Sequence, residues 1–386
     1  MHNREKKKLE DIVQNTIIKY HLIENEDKIV VGVSGGPDSM CLLDNLVKMR
    51  LKLEKRGNLY LNRELFEGKS QLNSEMIKGN PQSNLGNQLG KISPIKLRKP
   101  VGENFEIVVA HLNHKLRKEA DEEEQYVKKY CEKNKIEFYA KSIDVKNLAH
   151  TNKIGTEEAG RMARYEFFNE VLKKTKANKI AIAHNKNDKV ETILLHILRG
   201  SGIEGLKGID VKRGNIIRPL IECERSKIEE YCEENQLHPR IDQSNFENIY
   251  NRNKIRNVVI PYIQKELNPN MIKTMERLSD IVRQEDEYVE KQMKKIYQEL
   301  VIDEKAKEII IDLKKFNLQE IVIKSRLVRY IIKRLFGTTA SIEKIHIEDI
   351  IKLCDNNIGN KYLTPNKNFK VFVKNHNIYF TNQIDN

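Results

Sequence analysis

The sequence predicts an α/β fold with a doubly wound, mostly parallel sheet, followed by a helical linker and a small α+β C-terminal domain. In the first half of the chain, short β-branched runs alternate with amphipathic segments of helical length. That alternation indicates β-α-β crossovers, which cover a parallel sheet on both faces. After about residue 250 the pattern changes to a long charge-laced helical stretch and a compact tail with short strands.

Four strands and four helices are predicted in the first part. The strands are runs rich in Val, Ile and Phe, at 28–33, 105–112, 136–143 and 179–185. The helices have apolar residues at three- and four-residue spacing, near 38–49, 118–134, 157–174 and 187–199. We therefore expect an α/β domain over 1–250, a helical linker over 251–305 with one long helix near 268–300, and a C-terminal substrate-recognition domain over 306–386.

Residues 51–104 interrupt this alternation. The segment is rich in Asn, Gln, Gly, Ser and Lys and shows no sustained period. Between residues 48 and 99, twelve lysines and arginines against four glutamates supply +8 of the net charge of +13. We expect a disordered insertion, and solvated filler is favoured over a flexible arm for a polyanion.

The five cysteines are widely scattered and contain no C-x-x-C pair. This argues against a disulfide framework, a structural zinc site and an iron–sulfur cluster. The charged N-terminus does not resemble a signal peptide, and no apolar run reaches membrane-spanning length. We expect a cytoplasmic protein without a membrane partner.

The stretch SGGPDS at 34–39 directly follows the first predicted strand. Gly35 and Gly36 permit backbone angles that other residues resist, and Pro37 suits the first turn of a helix because its missing N–H costs nothing there. Such a turn directs unpaired amides of the loop and the helix N-terminus at one point. That arrangement suits phosphate oxygens.

An acid stands where a Walker A loop would carry lysine. Asp38 would repel phosphate unless a cation lay between them, so the loop predicts a magnesium-bridged triphosphate or pyrophosphate. The hydroxyls of Ser34 and Ser39 are the expected extra donors. The alternative is a tight turn with an acidic first helical turn.

Two polar clusters follow the ends of predicted strands. They consist of His111, Asn113, His114 and Arg117 after the second strand, and His184 and Asp188 after the fourth. Ligands bind at this edge of a parallel sheet. A single histidine at a strand end is structural as often as functional, but two clusters beside a phosphate loop favour function.

The SGGPDS loop resembles the signature of the N-type ATP pyrophosphatases, which split ATP between the α and β phosphates. Further motifs occur in the order found in the tRNA(Ile)-lysidine synthetase family. They are HLNHKLR (111–117), TEEAGRMARYEFF (156–168), AHNKNDKVETILLHILRGSG (183–202), RPL (218–220) and DQSNFENIYNRNKIRNVVIP (242–261). The resemblance covers 28–261 apart from the insertion, and more weakly the tail.

The resemblance implies an adenine nucleotide alpha hydrolase-like fold, with ATP and Mg²⁺ as cofactors. It implies ATP-dependent ligation of L-lysine to C2 of the wobble cytidine of tRNA(Ile) with a CAU anticodon, through an adenylated tRNA. The implied ATP-binding residues are Ser34, Gly35, Gly36, Pro37, Asp38, Ser39 and His184, with the metal at Asp38. The implied catalytic residues are Asp38, His111, His114, Arg117, Glu157, Asp188 and Arg199. A monomer and a homodimer both stay open.

Two departures from the family pattern are visible. Where the family often has two acids before Gln, this chain reads Asn187, Asp188 and Lys189. The tail contains one appended module where longer members carry two, so recognition of the acceptor stem stays open.

The implied reaction needs a base. Free lysine has a side-chain pKa of about 10.4, so deprotonating it at pH 7 costs roughly 4.6 kcal/mol. The family match favours Glu157 in the lysine site, against the alternative of an ordinary acidic first helical turn. Arg252 and Arg256 suit phosphate or RNA backbone, with a plain surface role as the alternative.

The predicted helix at 324–335 places three cations on one face, with no acid between them. They are Arg326, Arg329 and Lys333. A solvated face is slightly favoured over an RNA-binding surface.

Two other functions stay open. A tRNA 2-thiolating enzyme could carry the same loop, but the cysteine spacing offers no obvious pair for sulfur transfer. A basic RNA-binding protein could also retain a catalytically silent nucleotide fold.

Overall fold

The computed structural model describes residues 8–56, 104–114, 120–240, 250–338, 342–356, 362–366 and 368–382. The chain folds as two compact units, Met1–Arg277 and Leu278–Asn386. The predicted insertion lies outside the described residues except at its two ends, and Arg117 also lies outside them.

The sheet of the first unit has six strands in the part of the chain that the structure describes. They are β1 (Lys28–Gly32), β2 (Glu106–Asn113), β3 (Glu137–Ser142), β4 (Lys179–Ala181), β5 (Lys212–Arg213) and β6 (Ile216–Ile217). Their order is β3-β2-β1-β4-β6-β5, and every described pairing is parallel except that of β5 with β6. The predicted α/β class and the four predicted strands are confirmed, although the fourth ends at Ala181.

Helices cover both faces of this sheet. They are α1 (Leu9–Lys19), α2 (Pro37–Arg56), α3 (Ala120–Lys133), α4 (Val145–Asn152), α5 (Thr156–Thr175), α6 (Lys186–Leu198), α7 (Ile203–Leu206) and α8 (Arg225–Glu234). Val31 of β1 packs into the core that includes α1, α2, α3 and α8, whereas its neighbour Val30 packs against α5. Since alternate strand residues point to opposite faces, the sheet is doubly wound.

Gly32 lies where β1 meets the ring of Phe168 from α5. A Cβ atom at this position would lie 2.3 Å from Phe168 Cζ. The glycine inside the β-branched run therefore permits close packing of a helix on the strand, just before the phosphate loop.

A helical run after Tyr250 completes the first unit. It consists of α9 (Asn251–Lys254), a π-helical segment Ile255–Val259, α10 (Ile260–Tyr262) and a second π-helical segment Ile263–Leu267. The long helix α11 follows at Met271–Leu300, which matches the helix predicted near 268–300. Ile255, Ile260 and Met271 share a small core with Val190 of α6, so the run holds its arginines next to that helix.

Among its described residues, the second unit contains a five-stranded antiparallel sheet and three helices after α11. The strands are β7 (Val301–Lys305), β8 (Glu308–Asp312), β9 (Tyr362–Asn366), β10 (Phe369–Lys374) and β11 (Asn377–Asn382), in the order β7-β8-β11-β10-β9. The helices are α12 (Leu313–Asn317), α13 (Ile321–Phe336) and α14 (Lys344–Asp355). Apolar side chains from one face of the sheet pack with α13 and α14. The expected α+β architecture of the tail is confirmed.

One of the three cations on α13, for which a solvated face was slightly favoured, is paired with an acid. Arg326 Nη2 lies 2.5 Å from Asp286 Oδ1 on α11. That acid comes from another helix, so the spacing within α13 could not reveal it. Arg329 and Lys333 are exposed.

Among the described helices, none is both long enough and apolar enough to cross a membrane.

Candidate functional site

The candidate site lies where the order of strands changes direction. The chain leaves β1 for β2 on one side, while β4 pairs with the other side of β1. In doubly wound sheets, ligands bind beyond the carboxyl ends of the strands at this switch point. A cleft of about 1500 Å³ opens here. It exceeds the roughly 300–1000 Å³ of a site for one drug-sized ligand, so it has room for a nucleotide and a second reactant.

The loop after β1 forms one wall of the cleft. Gly35 has a φ of +90°, which favours glycine, and Pro37 begins α2. The Ser34 amide donates to Ser39 Oγ at 3.1 Å, and that hydroxyl donates to the Gly36 carbonyl at 3.0 Å. The hydroxyl of Ser39, expected as a phosphate donor, thus bonds to the backbone of its own loop.

Asp38 stands in the first turn of α2 at the same wall. Asn185 Nδ2 donates to Asp38 Oδ1 at 2.8 Å. Burial, reinforced by the negative charge of Asp188, raises the pKa of Asp38 to about 6, and Arg225 opposes this only in part. A bound cation would stabilise the charged form of an acid in such surroundings.

The charge of Asp38 fits a magnesium ion. The described residues contain no group of three or more His, Cys, Asp or Glu side chains arranged to hold a metal. A hard cation bound through one carboxylate takes its remaining ligands from water and from phosphate oxygens. The donor set therefore fits an ion that arrives with a nucleotide.

His111 connects β2 to the phosphate loop. Its Nδ1 lies 2.9 Å from the Val33 carbonyl, so Nδ1 carries the proton. Burial lowers the pKa of His111, which keeps the ring neutral. Nε2 is buried and has no hydrogen-bond partner within the described part of the chain. Because His111 lines the cleft, this nitrogen can accept a hydrogen bond from a ligand.

His184, after β4, has the opposite tautomer. Arg218 Nε donates to His184 Nδ1 at 2.9 Å, and Arg218 Nη1 donates to the Asp210 carbonyl at 2.6 Å. Burial and the nearby charge of Arg218 lower the pKa of His184 well below its usual value. The ring is therefore neutral with its proton on Nε2, and it lines the cleft as a donor.

Two carboxylates of α6 are held by two arginines of the run after Tyr250. This group, Asp188, Glu191, Arg252 and Arg256, is called the arginine clamp below. Arg256 Nη2 lies 2.9 Å from Asp188 Oδ1 and its Nε lies 2.6 Å from Glu191 Oε1. Arg252 contacts the same acids at 3.2 and 2.9 Å.

Asp188 of the clamp also caps the N-terminus of helix α6. Asp188 and Asn185 form a capping box, in which each side chain accepts from the backbone amide of the other at 3.0 Å. Two acids against two arginines leave the clamp without net charge.

A smaller pocket of about 300 Å³ lies beside the clamp. Its lining residues are Glu157, His184, Asp188, Tyr250, Arg252, Asn253 and Arg256. Glu157 also lines the large cleft, so the two spaces share a wall. Its carboxylate is exposed and makes no ion pair within the described part of the chain.

Known proteins resemble this chain along most of its length. It is 41% identical to the tRNA(Ile)-lysidine synthase of Clostridium acetobutylicum, over 93% of this chain and 67% of that protein. It is 40% identical to the tRNA(Ile)-lysidine synthase of Clostridioides difficile, over 97% of this chain and 70% of that protein. The chain belongs to the tRNA(Ile)-lysidine synthase family.

Two further comparisons concern the domain. The model of the PP-loop domain family matches residues 91–263, which lie within the first unit. The U34-tRNA thiolase NcsA from Methanococcus maripaludis aligns with a TM-score of 0.46 at 16% identity, over 70% of this chain and 78% of that one. This member of the tRNA(Ile)-lysidine synthase family spans about two thirds of the length of the two relatives above.

Most residues expected from the synthetase resemblance lie together. The lining of the large cleft includes Ser34, Gly36, Pro37, Asp38, Ser39, His111, His114, Glu157 and His184. Gly35 lies in the same loop, and Asp188 lines the smaller pocket. Arg199 is exposed at the end of α6 and lines neither space. The roles of these residues stay predictions.

The Asn187 departure from the synthase pattern has a structural explanation. Asn187 Oδ1 accepts from the Arg225 amide at 3.1 Å, at the first residue of α8. A carboxylate could accept the same bond, so this position serves the fold with either side chain. Lys189 is buried against Gly208, where a Cβ atom would lie 3.0 Å from Lys189 Cγ.

Sequence reasoning missed four residues of this site. They are Asn185, Glu191, Arg218 and Arg225. One signal was available, since Glu191 lies three residues after Asp188 and therefore on the same helix face. Arg218 stands in the RPL motif, but only the structure shows that it sets the tautomer of His184.

Proposed function

We propose that the chain uses ATP to ligate lysine to C2 of the wobble cytidine of tRNA(Ile) with a CAU anticodon, giving lysidine, AMP and pyrophosphate. One observation carries the proposal. The cleft joins a phosphate loop, whose acid gains from a cation, to a second pocket lined by the Glu157 carboxylate, which makes no ion pair within the described part of the chain. A tRNA-modifying ligase acts in the cytoplasm, and we place the chain there.

The first half-reaction transfers AMP to the RNA. The C2 carbonyl oxygen of cytidine attacks the α-phosphorus of ATP, and the bond to pyrophosphate breaks. Mg²⁺, held by Asp38, would neutralise charge on the phosphates. The amides of 34–39 and the Nε2 proton of His184 are donors for phosphate oxygens.

The second half-reaction needs a neutral amine. The ε-amine of lysine attacks C2, the bond from C2 to the AMP oxygen breaks, and a proton leaves the nitrogen. We assign the smaller pocket to lysine and the proton acceptance to Glu157. Asp188 is held by two arginines, whereas Glu157 makes no ion pair with any described residue and lies on the wall shared by both spaces.

Desolvation completes the role of Glu157. The carboxylate is exposed without RNA, and an anticodon loop in the cleft would exclude water from it. Desolvation raises the affinity of a carboxylate for a proton. Covering the site therefore helps to supply the roughly 4.6 kcal/mol that deprotonating lysine at pH 7 requires.

The cysteines disfavour sulfur transfer. All five are free and buried, and burial raises the pKa of Cys131, Cys223 and Cys354 to about 12. Cys232 lines the cleft, but its thiol donates to the Pro37 carbonyl at 3.5 Å. Thiol chemistry requires an accessible thiolate, so thiolation is the weaker function.

Mass spectrometry of nuclease-digested tRNA tests the proposal. With ATP, Mg²⁺ and lysine, we expect a lysine-bearing cytidine in tRNA(Ile) and little in initiator tRNA, which has the same anticodon. Discrimination would then come from contacts with residues after about 260. Sulfur incorporation, or bound but unmodified tRNA, would contradict the proposal.

The two half-reactions can be separated with adjacent glutamates. Glu157→Gln should still release pyrophosphate and accumulate adenylated tRNA, but couple lysine at least about 100-fold more slowly. Glu158 lines neither space, so Glu158→Gln should couple at the wild-type rate. Equal loss in both variants would remove Glu157 from the chemistry.

A further inference from the structure

The sheet of the second unit has one face that carries an aromatic row. The paired positions Tyr362, Phe372, Tyr379 and Ile310 cross strands β9, β10, β11 and β8 in direct register. Their neighbours along the strands, such as Val371 and Phe380, point to the opposite face and form the core. The row therefore lies on the face that the core does not use.

This row is called the aromatic platform below, and two of its rings stack face to face. Phe372 and Tyr379 have centroids 4.8 Å apart and an interplanar angle of 2°. Tyr362, at the outer strand, is 60% exposed, while Phe372 and Tyr379 are partly exposed. The exposed Tyr362 ring offers a π-face to a planar ligand, and the stacked pair offers its edges.

Cations border the same rings. Lys370 Nζ lies 4.4 Å from the Tyr362 ring centroid and 5.5 Å from that of Phe372. Lys374 is two residues beyond Phe372 on the same face and is exposed. Strands β9, β10 and β11 contain no Asp or Glu, so this half of the face is positively charged. The acids of the sheet lie on β7 and β8.

We propose that this aromatic platform stacks unpaired bases of the RNA substrate outside the anticodon, with Lys370 and Lys374 contacting the adjacent phosphates. Sheets that carry aromatic residues between cations bind single-stranded RNA by stacking, which tolerates any base because every base has a π-face. Duplex RNA keeps its bases stacked inside the helix and would not use the rings. The identity of the RNA rests on the proposed function.

Binding of a fluorescent single-stranded hexauridylate to the full chain tests the platform. Tyr362→Leu should weaken binding by about 5- to 100-fold, the usual effect of removing one stacking ring. Tyr288 on α11 is 63% exposed and is not part of the sheet, so Tyr288→Leu is the matched control and should bind like wild type. Phe372→Leu is a second variant that retains an apolar side chain.

Salt dependence tests the lysines. Replacing Lys370 with Gln should reduce the slope of log affinity against log salt by about 0.7, as expected for one phosphate contact to a single strand. Lys344, on α14, has an 85% exposed side chain, and Lys344→Gln should leave the slope unchanged. A duplex of the same length should bind equally to wild type and to Tyr362→Leu.

The outcomes separate this inference from the proposed function. If lysidine forms but Tyr362→Leu changes neither hexauridylate binding nor the KM for tRNA, the platform is wrong and the ligase stands. If no lysidine forms but hexauridylate binding depends on Tyr362, the platform is supported and the proposed ligase function is wrong. Equal loss in Tyr288→Leu, or a dimer that dissociates on Tyr362→Leu without any RNA effect, would overturn the platform.

Discussion

The phosphate loop and the arginine clamp both place carboxylates beside the same cleft, but they balance the negative charge differently. Asp38 in the loop receives one amide bond from Asn185, and its pKa is raised to about 6. Asp188 and Glu191 in the clamp are each contacted by Arg252 and Arg256. The charges of the clamp acids are matched by arginines, whereas Asp38 accepts its bond from an uncharged amide.

This difference indicates different roles for the phosphate loop and the arginine clamp. A neutral, fully paired cluster fixes helix α6 and the run after Tyr250, and so shapes the smaller pocket. A partly buried acid without a nearby cation costs stability in the free protein, and a ligand that brings a cation recovers that cost. The loop is therefore suited to a ligand that brings a cation, while the clamp holds helix α6 and the run after Tyr250 in place.

The largest effect is expected on turnover at the loop. Asp38→Asn preserves the size of the side chain but removes the charge that would hold the cation, so pyrophosphate release should fall by at least about 100-fold. The control is Glu170→Gln, which removes an exposed acid that pairs with Lys141 and lines neither the cleft nor the smaller pocket. A folded Asp38→Asn protein with normal pyrophosphate release would exclude Asp38 from the reaction.

Breaking the clamp should instead cost stability. Glu191 is 1% exposed and holds both arginines, so Glu191→Gln leaves two partly buried arginines with the single charge of Asp188. We expect the free energy of unfolding in urea to fall by about 3 kcal/mol. In the double variant Glu191→Gln with Arg256→Gln, the loss should be smaller than the sum of the single losses. Additive losses would show that the clamp residues act independently.

The loop should also make nucleotide binding depend on pH. Since the pKa of Asp38 is about 6, the carboxylate is charged above this pH and protonated below it. The affinity for Mg·ATP should therefore weaken by about tenfold per pH unit below 6 and level off above 7. Titrations from pH 5 to 8 measure this, and Asp38→Asn should flatten the profile. A flat wild-type profile would argue against a role for this titration.

The smallest effect is expected at Arg199, which belongs to neither the phosphate loop nor the arginine clamp. Arg199 is exposed and lines neither the cleft nor the smaller pocket, so Arg199→Ala should change the KM for ATP by less than about twofold. Steady-state kinetics with saturating lysine and tRNA measure it. A tenfold rise would mean that Arg199 reaches the nucleotide after a movement of the loop that follows α6.

The sequence predicted the loop better than the clamp, for a physical reason. The loop is local, because a strand, two glycines, a proline and an acid fall within twelve residues, from 28 to 39. The clamp joins residues more than sixty positions apart in the sequence. Local sequence patterns do not predict which acid will pair with an arginine over such a separation. The same limit applies to Arg326, whose partner Asp286 lies on another helix.

The fold was predictable where periodicity was strong. The alternation of β-branched runs with helical segments identified β1 to β4. The resemblance to the lysidine synthetase family then supplied the candidate site residues. The short strands β5 and β6 have two residues each, too few for a period. The aromatic row in the second unit also depends on register, because Tyr362, Phe372 and Tyr379 face one another only once the strands pair.

The central claim is that the Asp38 carboxylate destabilises the free protein and is stabilised by the cation of Mg·ATP. Thermal unfolding of wild type and Asp38→Asn, each without ligand and with Mg·ATP, tests it most directly. Above a pH of about 6 the raised pKa of Asp38 disfavours the folded state, by up to about 3 kcal/mol at pH 7. Without ligand, Asp38→Asn should therefore have the higher Tm at pH 7.5, by several degrees. With Mg·ATP the order should reverse, because only wild type gains the cation. A variant that is less stable without ligand, or that gains as much from Mg·ATP as wild type, would contradict the account.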